Sequence, residues 1–192
     1  MDFTEAPRFP SIKTKRLRLR NFTAQDIPDF VAYRQDPDVA RYQSWDNYTA
    51  QEGEAFFIAQ QIMEFGIIDS WYQIAIANLE QDRLIGDCVI HFLDEHQVEI
   101  GFTLAPGWQG KGYMTEALSV LVSYIFSELH MHRITALTDA ENISSCNVLE
   151  RVGFREEAHY RKNIWFKGKW GDEKLFAMLE EDWEACLDES DG

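Results

Sequence analysis

A glycine-rich turn is the feature of this sequence best suited to binding a ligand. The segment from Pro106 to Leu118 reads PGWQGKGYMTEAL, follows a strand-like alternating run and leads into a long amphipathic pattern. At a helix N-terminus the first backbone N–H groups are unpaired, and the helix dipole attracts anions. Gly110 and Gly112 would let the backbone approach a ligand, because they carry no side chain. The turn therefore indicates a phosphate site, with an ordinary surface turn as the alternative.

Two well-known phosphate loops do not fit this spacing. A Walker loop has a glycine five residues before its Gly-Lys pair and a Ser or Thr after the lysine, where this chain has Ala105 and Gly112. A Rossmann fingerprint has a third glycine at the position of Thr115. The turn therefore belongs to neither class.

The strand before the turn carries a carboxylate that could act as a general base. Residues 98–104 alternate between apolar side chains on one face and Glu99, Gly101 and Thr103 on the other. If the second face lines a cleft, Glu99 points at the bound substrate, directly or through a water molecule. The alternative is a solvated strand carboxylate.

Three segments together resemble the GNAT superfamily of acyl-CoA-dependent N-acetyltransferases. Gln109–Met114 resembles its Gln/Arg-x-x-Gly-x-Gly/Ala signature, with Met114 as a departure from the small last residue. Asn142–Phe154 resembles a second signature, found in the branch of ribosomal-protein N-terminal acetyltransferases, and Thr14–Arg20 resembles the first strand. The resemblance covers roughly residues 11 to 183.

The resemblance implies acetyl-CoA as cosubstrate and assigns its contacts. The diphosphate cradle would comprise Gln109, Gly110, Lys111, Gly112, Tyr113, Met114 and Thr115. Backbone groups of Phe102, Thr103 and Leu104 would pair with the pantetheine arm, and one of their N–H groups would polarise the thioester carbonyl. Asn142 and Ser145 would lie along the arm near the sulfur, with Asn147 as a further contact. The alternative for Asn142 and Ser145 is ordinary helix capping.

Acetyl transfer to an amine also needs a base and an acid for the departing thiolate. Many family members carry a functional glutamate on the strand of Glu99, which makes Glu99 the expected base. Many also carry a tyrosine as thiolate acid where this chain has Glu150. Ser145, a water molecule or Tyr160 would have to serve instead. By resemblance Tyr42 and Trp45 border the acceptor cleft, and core packing under a loop is the alternative.

Length and composition predict one globular domain over residues 1–192, with a core at about 11–183 and an acidic C-terminal tail. No apolar run is long enough to span a membrane, and no secretory signal is visible. The three cysteines form no C-x-x-C pair, which favours free thiols and a cytoplasmic location. No His, Cys or carboxylate cluster has metal-ligand spacing, so no metal is expected.

The net charge is −15, and residues 172–192 alone hold nine acidic residues and one lysine. Such a balance argues against nucleic-acid binding and would attract a cationic substrate such as an amine, unless it only solvates a helix end and tail. The branch that the sequence resembles often forms dimers, which makes a homodimer an expectation.

Hydrophobic periodicity predicts α+β architecture, because strands and helices mix without strict alternation. Strands are expected at 15–20, 71–77, 83–92, 98–104 and 133–138, with a terminal hairpin from 154–166 and 173–179. Helices are expected at 24–34, from the Thr49 capping box to Gly66, after the glycine turn, and at 142–151. The resemblance adds α/β/α layers and a twisted, mixed, mostly antiparallel sheet with splayed central strands.

The function indicated is transfer of an acetyl group from acetyl-CoA to a primary amine by direct attack. The acceptor would be a protein N-terminus, or a small amine such as a polyamine or an aminoglycoside. A catalytically silent CoA-binding module and a phosphate-binding fold unrelated to CoA are the alternatives.

Overall fold

A computed structural model describes residues 7–190 of the chain. Within them one eight-stranded sheet has the order β1-β2-β3-β4-β5-β6-β8-β7. The strands are β1 Ile12–Lys13, β2 Leu17–Arg20, β3 Trp71–Asn78, β4 Leu84–Phe92, β5 Gln97–Leu104, β6 Arg133–Asp139, β7 Arg155–Phe166 and β8 Lys169–Leu179. The helices are α1 Ile27–Arg34, α2 Pro37–Ala40, α3 Ala50–Ile62, α4 Tyr113–Ser127, α5 Ile143–Val152 and α6 Glu180–Ser190. None of these helices is both long and apolar enough to cross a bilayer.

Helices cover both faces of the sheet. Ile74 and Ile76 of β3 belong to the larger core cluster, which includes the apolar face of α4. Ala75 lies between them and therefore points the other way, into a smaller cluster with Phe30 of α1 and Phe56 of α3. Because successive strand residues feed two separate cores, the fold is α+β in three layers, which confirms the predicted fold class.

The two central strands β5 and β6 run parallel and separate after three residues. Gln97–Glu99 pair with Arg133–Thr135, whereas β5 continues to Leu104 and β6 to Asp139. On its other side β5 stays paired with β4 as far as Leu104. The divergence leaves the backbone of residues 100–104 without a strand partner on the β6 side, which confirms the predicted splay. Unpaired N–H and C=O groups of this kind need another hydrogen-bonding partner.

The early helices differ from the predicted boundaries. The segment 24–34 is a 3₁₀ turn at Ala24–Asp26 followed by α1, and Asp36-Pro37 begins the new helix α2. The Asp36 carboxylate accepts a hydrogen bond from the Asp38 N–H at 2.9 Å, so the pair that ends one helix also caps the next. Helix α3 begins at its predicted capping box but ends at Ile62 rather than Gly66, because Met63 is already extended.

The C-terminal segment forms more regular structure than the predicted tail. Strand β8 begins at Lys169 rather than at residue 173, and the acidic segment folds as α6. Trp183 anchors this helix by stacking on Phe126 of α4, with ring centroids 5.6 Å apart. Its acidic first turn is favoured by the helix dipole. Residues 1–6 and 191–192 of the predicted domain lie outside the described range.

Candidate active site

The glycine turn enters α4 through left-handed backbone. Gly110 has φ +71° and Gly112, the residue before the first helical position, has φ +77°. Residues with a Cβ are strained in this region, so glycine is favoured at both positions of the turn. The Gln109 side chain donates to the Leu104 carbonyl at 2.8 Å and ties the turn to the end of β5. The first N–H groups of α4 then face outward with no acceptor inside the helix.

Arg16 contacts the turn from the outside, and this contact was not predicted from the sequence. Its guanidinium donates to the Lys111 carbonyl at 3.0 Å and to the Glu116 carboxylate at 2.6 Å, and it lies 4.2 Å from the centre of the Tyr113 ring. Burial tends to raise the pKa of Glu116, but hydrogen bonds from Thr14 and Arg16 outweigh it and lower that pKa. Glu116 therefore stays ionised as the partner of Arg16.

A cavity of about 640 Å³, here called the loop cavity, lies between the glycine turn and α5. Its lining holds all but one of the residues predicted for the diphosphate cradle, namely Gln109, Gly110, Gly112, Tyr113, Met114 and Thr115. The exception is Lys111, whose side chain turns back to donate to the Gly107 carbonyl at 2.7 Å. Arg41 and Arg151 add two cations to the wall that were not predicted.

Asn142 and Ser145 begin α5 on the opposite wall of the loop cavity. The Asn142 side chain accepts a hydrogen bond from the Ser145 N–H at 3.2 Å, so it is a helix cap, as the alternative interpretation had it. Both residues also line the cavity, as Asn147 does. Capping and ligand contact are therefore compatible, because the cap uses the Ser145 backbone and leaves its hydroxyl free to act.

A second cavity of about 530 Å³, here called the carboxylate cavity, lies on the Glu99 face of the sheet. The two cavities share six lining residues, namely Tyr42, Gln43, Phe102, Thr103, Asn142 and Ser145. They meet where β5 and β6 have separated. Leu104 lines only the loop cavity, whereas Glu99 and Trp45 line only the carboxylate cavity.

Glu99 is half-buried in a row of side chains across the sheet. It is in register with His91 of β4 and Thr135 of β6, and His91 stacks on Trp71 with ring centroids 4.2 Å apart. Burial raises the pKa of Glu99, the charge of His91 opposes this, and the Glu173 carboxylate adds to it. A carboxylate with a raised pKa is a stronger base than an ordinary glutamate.

Asp87 lies on the floor of the carboxylate cavity and is only 1% exposed. The Tyr33 hydroxyl and the Gln73 amide both donate to it, and the Arg34 guanidinium lies 3.4 Å away. The guanidinium carbon of Arg34 is 4.1 Å from the ring centres of both Phe30 and Trp45. Removing one partner of a buried ion pair typically costs about 3–5 kcal/mol, so Asp87 holds the cavity wall together as well as charging it.

The three remaining predicted site residues do not lie in the same place. Tyr42 and Trp45 line the carboxylate cavity, and the Trp45 indole N–H donates to the Arg34 carbonyl at 2.9 Å. Tyr160 lies on the edge strand β7, is 41% exposed and lines neither cavity. The structure therefore does not bring Tyr160 to the other predicted catalytic residues.

Cys146 neighbours Ser145 in the chain but belongs to the larger core cluster. Cys146 is buried, and burial raises the pKa of its thiol, so it is a poor nucleophile. No group of three His, Cys, Asp or Glu in the described part of the chain is arranged to hold a metal ion.

Comparison with known proteins gives a family match and full-length relatives. A family model for the Acetyltransferase (GNAT) domain matches residues 16–155. The uncharacterized N-acetyltransferase YnaD of Bacillus subtilis (strain 168) is 34% identical over 173 residues, which are 90% of this chain and 98% of that relative. A crystal structure of a GNAT-family acetyltransferase from Bacillus anthracis is 31% identical with a TM-score of 0.81, and the match covers 90% of this chain and 99% of that one.

Two further relatives have assigned acceptors. The ribosomal protein uS5-alanine N-acetyltransferase of Escherichia coli (strain K12) is 35% identical over 88 residues, 46% of this chain and 45% of that enzyme. The spermidine N(1)-acetyltransferase of Vibrio cholerae is 28% identical over 131 residues, 66% of this chain and 75% of that enzyme.

Proposed function

The chain belongs to the GNAT family of acetyl-CoA-dependent N-acetyltransferases, and we propose that it moves the acetyl group directly to a primary amine of a cationic acceptor. The observation that carries this proposal is the junction of the two cavities beside the unpaired edge of β5. A cosubstrate bound in the loop cavity and an amine bound in the carboxylate cavity would meet there.

The loop cavity fits the cosubstrate. Backbone N–H groups after Gly110 and Gly112 would bind the diphosphate, because a helix N-terminus holds anions well. The backbone of Phe102 to Leu104, which has no strand beside it on the β6 side, would hydrogen-bond the pantetheine amides as a strand does. Arg41 and Arg151 supply positive charge at the wall for phosphate.

Bound acetyl-CoA supplies the thioester acyl group and the leaving thiolate. Glu99 removes a proton from the acceptor ammonium, directly or through water, so that the neutral amine attacks the thioester carbonyl carbon. A backbone N–H among residues 102–104 stabilises the oxyanion that forms. As the C–S bond breaks, Ser145 donates a hydrogen bond to the departing sulfur. The proton that the attacking nitrogen still has to lose passes through water to the thiolate, so the products are the acetylated amide and the CoA thiol.

The charge of the carboxylate cavity favours a cationic acceptor. Its lining includes the carboxylates of Asp87, Glu99, Asp139 and Glu173 against one cation, Arg34, which is paired with Asp87. Like charges gathered in a cleft raise the local concentration of an oppositely charged ligand. The net charge of −15 acts in the same direction.

Two cationic acceptors have specific support. A protein N-terminus, as for the relative that acts on the alanine of ribosomal protein uS5, presents one ammonium group on a peptide. A polyamine, as for the spermidine relative, presents several ammonium groups, and the three carboxylates of the cavity that are not paired with Arg34 favour it, namely Glu99, Asp139 and Glu173. We place the protein N-terminus first, because that relative shares the higher identity with this chain in the region it covers.

A panel assay tests the proposed function. Thiol release from acetyl-CoA is measured with a basic alanine-initiated peptide, with the same peptide N-terminally blocked, with spermidine and with an aminoglycoside. We expect turnover with at least one free amine and none with the blocked peptide. CoA binding without turnover on any amine would favour the silent module, and absence of CoA binding would remove the proposal altogether.

Replacing Ser145 by Ala tests the assignment of the thiolate donor. We expect kcat to fall about 5- to 30-fold with little change in the KM for acetyl-CoA, because one hydrogen bond to a charge that develops in the transition state is lost. Ser144→Ala is the matched control, since Ser144 lines the loop cavity but not the junction. Equal kinetics for the two variants would show that Ser145 acts only as part of the helix start.

A further inference from the structure

The β7–β8 hairpin extends beyond the rest of the sheet. Pairing between β6 and β8 stops at Asp139 and Glu173, whereas β7 and β8 remain paired up to Phe166 and Lys169. The tip from residue 164 to residue 171 therefore has no strand beside it on the β6 side. Contacts on that side of the tip must therefore come from side chains and loops.

A bulge in β7 bends this tip toward the carboxylate cavity. Tyr160 pairs with Glu173 and Ile164 with Gly171, so β7 has two more residues than β8 in the interval. The Asp172 carboxylate fixes the extra residues by accepting hydrogen bonds from the Lys162 N–H at 2.8 Å and by pairing with His159 at 3.0 Å. Bulges bend and twist a strand locally. As a result Ile164 and Phe166 line the cavity.

Lys167, in the turn of the hairpin, fastens the tip to the loop between α2 and α3. Its ammonium donates to the Ala40 carbonyl at 2.9 Å, to the Trp45 carbonyl at 2.8 Å and to the Asp46 carboxylate at 2.5 Å. An ammonium has three N–H donors, so all of them are used on the last residue of α2 and on the loop that follows it. The Lys167 side chain is 26% exposed and that of Asp46 is 78% exposed, so solvent shields the lysine end of the pair only in part and reaches the carboxylate freely.

The loop that Lys167 holds forms the opposite wall of the same cavity. Residues 42–45 all line it, and Tyr42 and Gln43 also line the loop cavity. Trp45 continues the connection inward, because it lies against Arg34, the partner of Asp87. One lysine thus joins two walls that come from distant parts of the chain.

We propose that Lys167 is a positioning residue that holds the hairpin tip, here called the arm, against the loop between α2 and α3 and so sets acceptor affinity. The inference rests on the proposed function only in taking the carboxylate cavity as the acceptor site. With the arm in place, Ile164, Phe166, Tyr42 and Trp45 form one continuous wall. Without the lysine, the two walls separate and the acceptor loses contacts.

A neutral variant separates this role from a simple effect of charge. Lys167→Met keeps the length of the side chain but removes the ammonium group. Loss of a positive charge beside an acidic cavity would by itself strengthen binding of a cation. Loss of the contact between the arm and the loop would instead weaken binding of the cation. Lys169→Met is the matched control, because Lys169 lies on the same tip, binds Glu141 at 3.0 Å and lines neither cavity.

The test combines steady-state kinetics with amide hydrogen exchange of the full chain. For Lys167→Met we expect the KM for the amine acceptor to rise about 5- to 20-fold, with the KM for acetyl-CoA within about twofold of the wild type. Exchange of amides in residues 40–46 and 164–171 should become faster in this variant. Lys169→Met should leave exchange in residues 40–46 and the acceptor KM close to wild type.

The outcomes distinguish the arm from the proposed function. If Lys167→Met is active and its acceptor KM is unchanged or lowered, the proposed role of Lys167 is wrong and the proposed transferase activity is unaffected. If amide exchange is faster in that variant but the wild type transfers no acetyl group, the contact between the walls is supported and the proposed activity is wrong. In that case the affinity for spermidine, measured by calorimetry, replaces the acceptor KM. Equal affinities of the wild type and the variant would show that the proposed role of Lys167 is also wrong.

Discussion

Replacement of Glu99 by Gln should lower kcat/KM at about pH 7 by a factor of about 100 to 10,000, the range expected when a general base is lost. The substitution keeps the size of the side chain and its hydrogen-bonding capacity but removes the proton acceptor. The binding of acetyl-CoA should not change, because Glu99 lines only the carboxylate cavity. Rates with the leading acceptor, measured across pH, check this.

The pH dependence has a defined sign. Burial raises the pKa of Glu99, so in the wild type the rate should fall on the acid side at a pH above the ordinary range of a glutamate. In Glu99→Gln the acid-side fall caused by protonation of Glu99 disappears. The difference in rate between the wild type and the variant becomes smaller at high pH, because more of the amine acceptor is already neutral there. A variant with the wild-type pH profile would remove Glu99 from the mechanism.

Glu173→Gln is the matched control for Glu99. Glu173 lies in the same cavity, and its charge contributes to the raised pKa of Glu99. Removing that charge should lower the pKa of Glu99 and shift the acid limb to lower pH, without a large loss of the maximal rate. A loss in Glu173→Gln as large as that in Glu99→Gln would show that the charge of the cavity, rather than a base, carries the effect.

Replacement of Gly112 by Ala should weaken CoA binding by about 10-fold or more. An added Cβ at Gly112 would only reach ordinary contact with Arg16 at 3.6 Å, so the effect would come from the backbone. A left-handed φ of +77° costs an L-residue roughly 1–2 kcal/mol, and relaxing it turns the N–H groups of the next residues away from the phosphate. Isothermal titration with CoA measures the change.

Gly107→Ala separates this effect from a general disturbance of the turn. Gly107 belongs to the same segment, has no atom within 4 Å of an added Cβ and is not among the residues with positive φ. Its substitution should leave the CoA affinity within about twofold of the wild type. Weakening of similar size in both variants would mean that the turn supports the fold and not the ligand.

Local patterns in the sequence located the parts of the site that depend on single elements. The glycine turn was recognisable from two glycines directly before an amphipathic pattern, whereas the left-handed φ of Gly110 and Gly112 became known only from the structure. Glu99 was assigned to the cavity face from the alternation of one strand. Extending that alternation to β3 and β4 would have placed Gln73 and Asp87 on the same face, since Asp87 interrupts an otherwise apolar strand.

The parts that sequence patterns missed depend on distant segments meeting. Nothing near Lys167 in the chain indicates that it reaches Trp45, which is 122 residues away. Arg16 looks like an ordinary strand residue until α4 brings Lys111 and Glu116 to it. Tyr160 was chosen for its chemistry, but strand order places it at the sheet edge. The acidic C-terminal segment was expected to be a solvated helix end and tail, whereas it forms the helix α6. The stacking of Trp183 on Phe126 that anchors this helix is not visible in local periodicity.

A crystal structure of the complex with coenzyme A would show directly where the cosubstrate binds. We expect the diphosphate on backbone N–H groups of residues 110–115, the pantetheine arm beside Phe102 to Leu104, and the sulfur at the junction next to Ser145. Coenzyme A bound elsewhere, or its diphosphate held away from the glycine turn, would contradict the proposed binding mode.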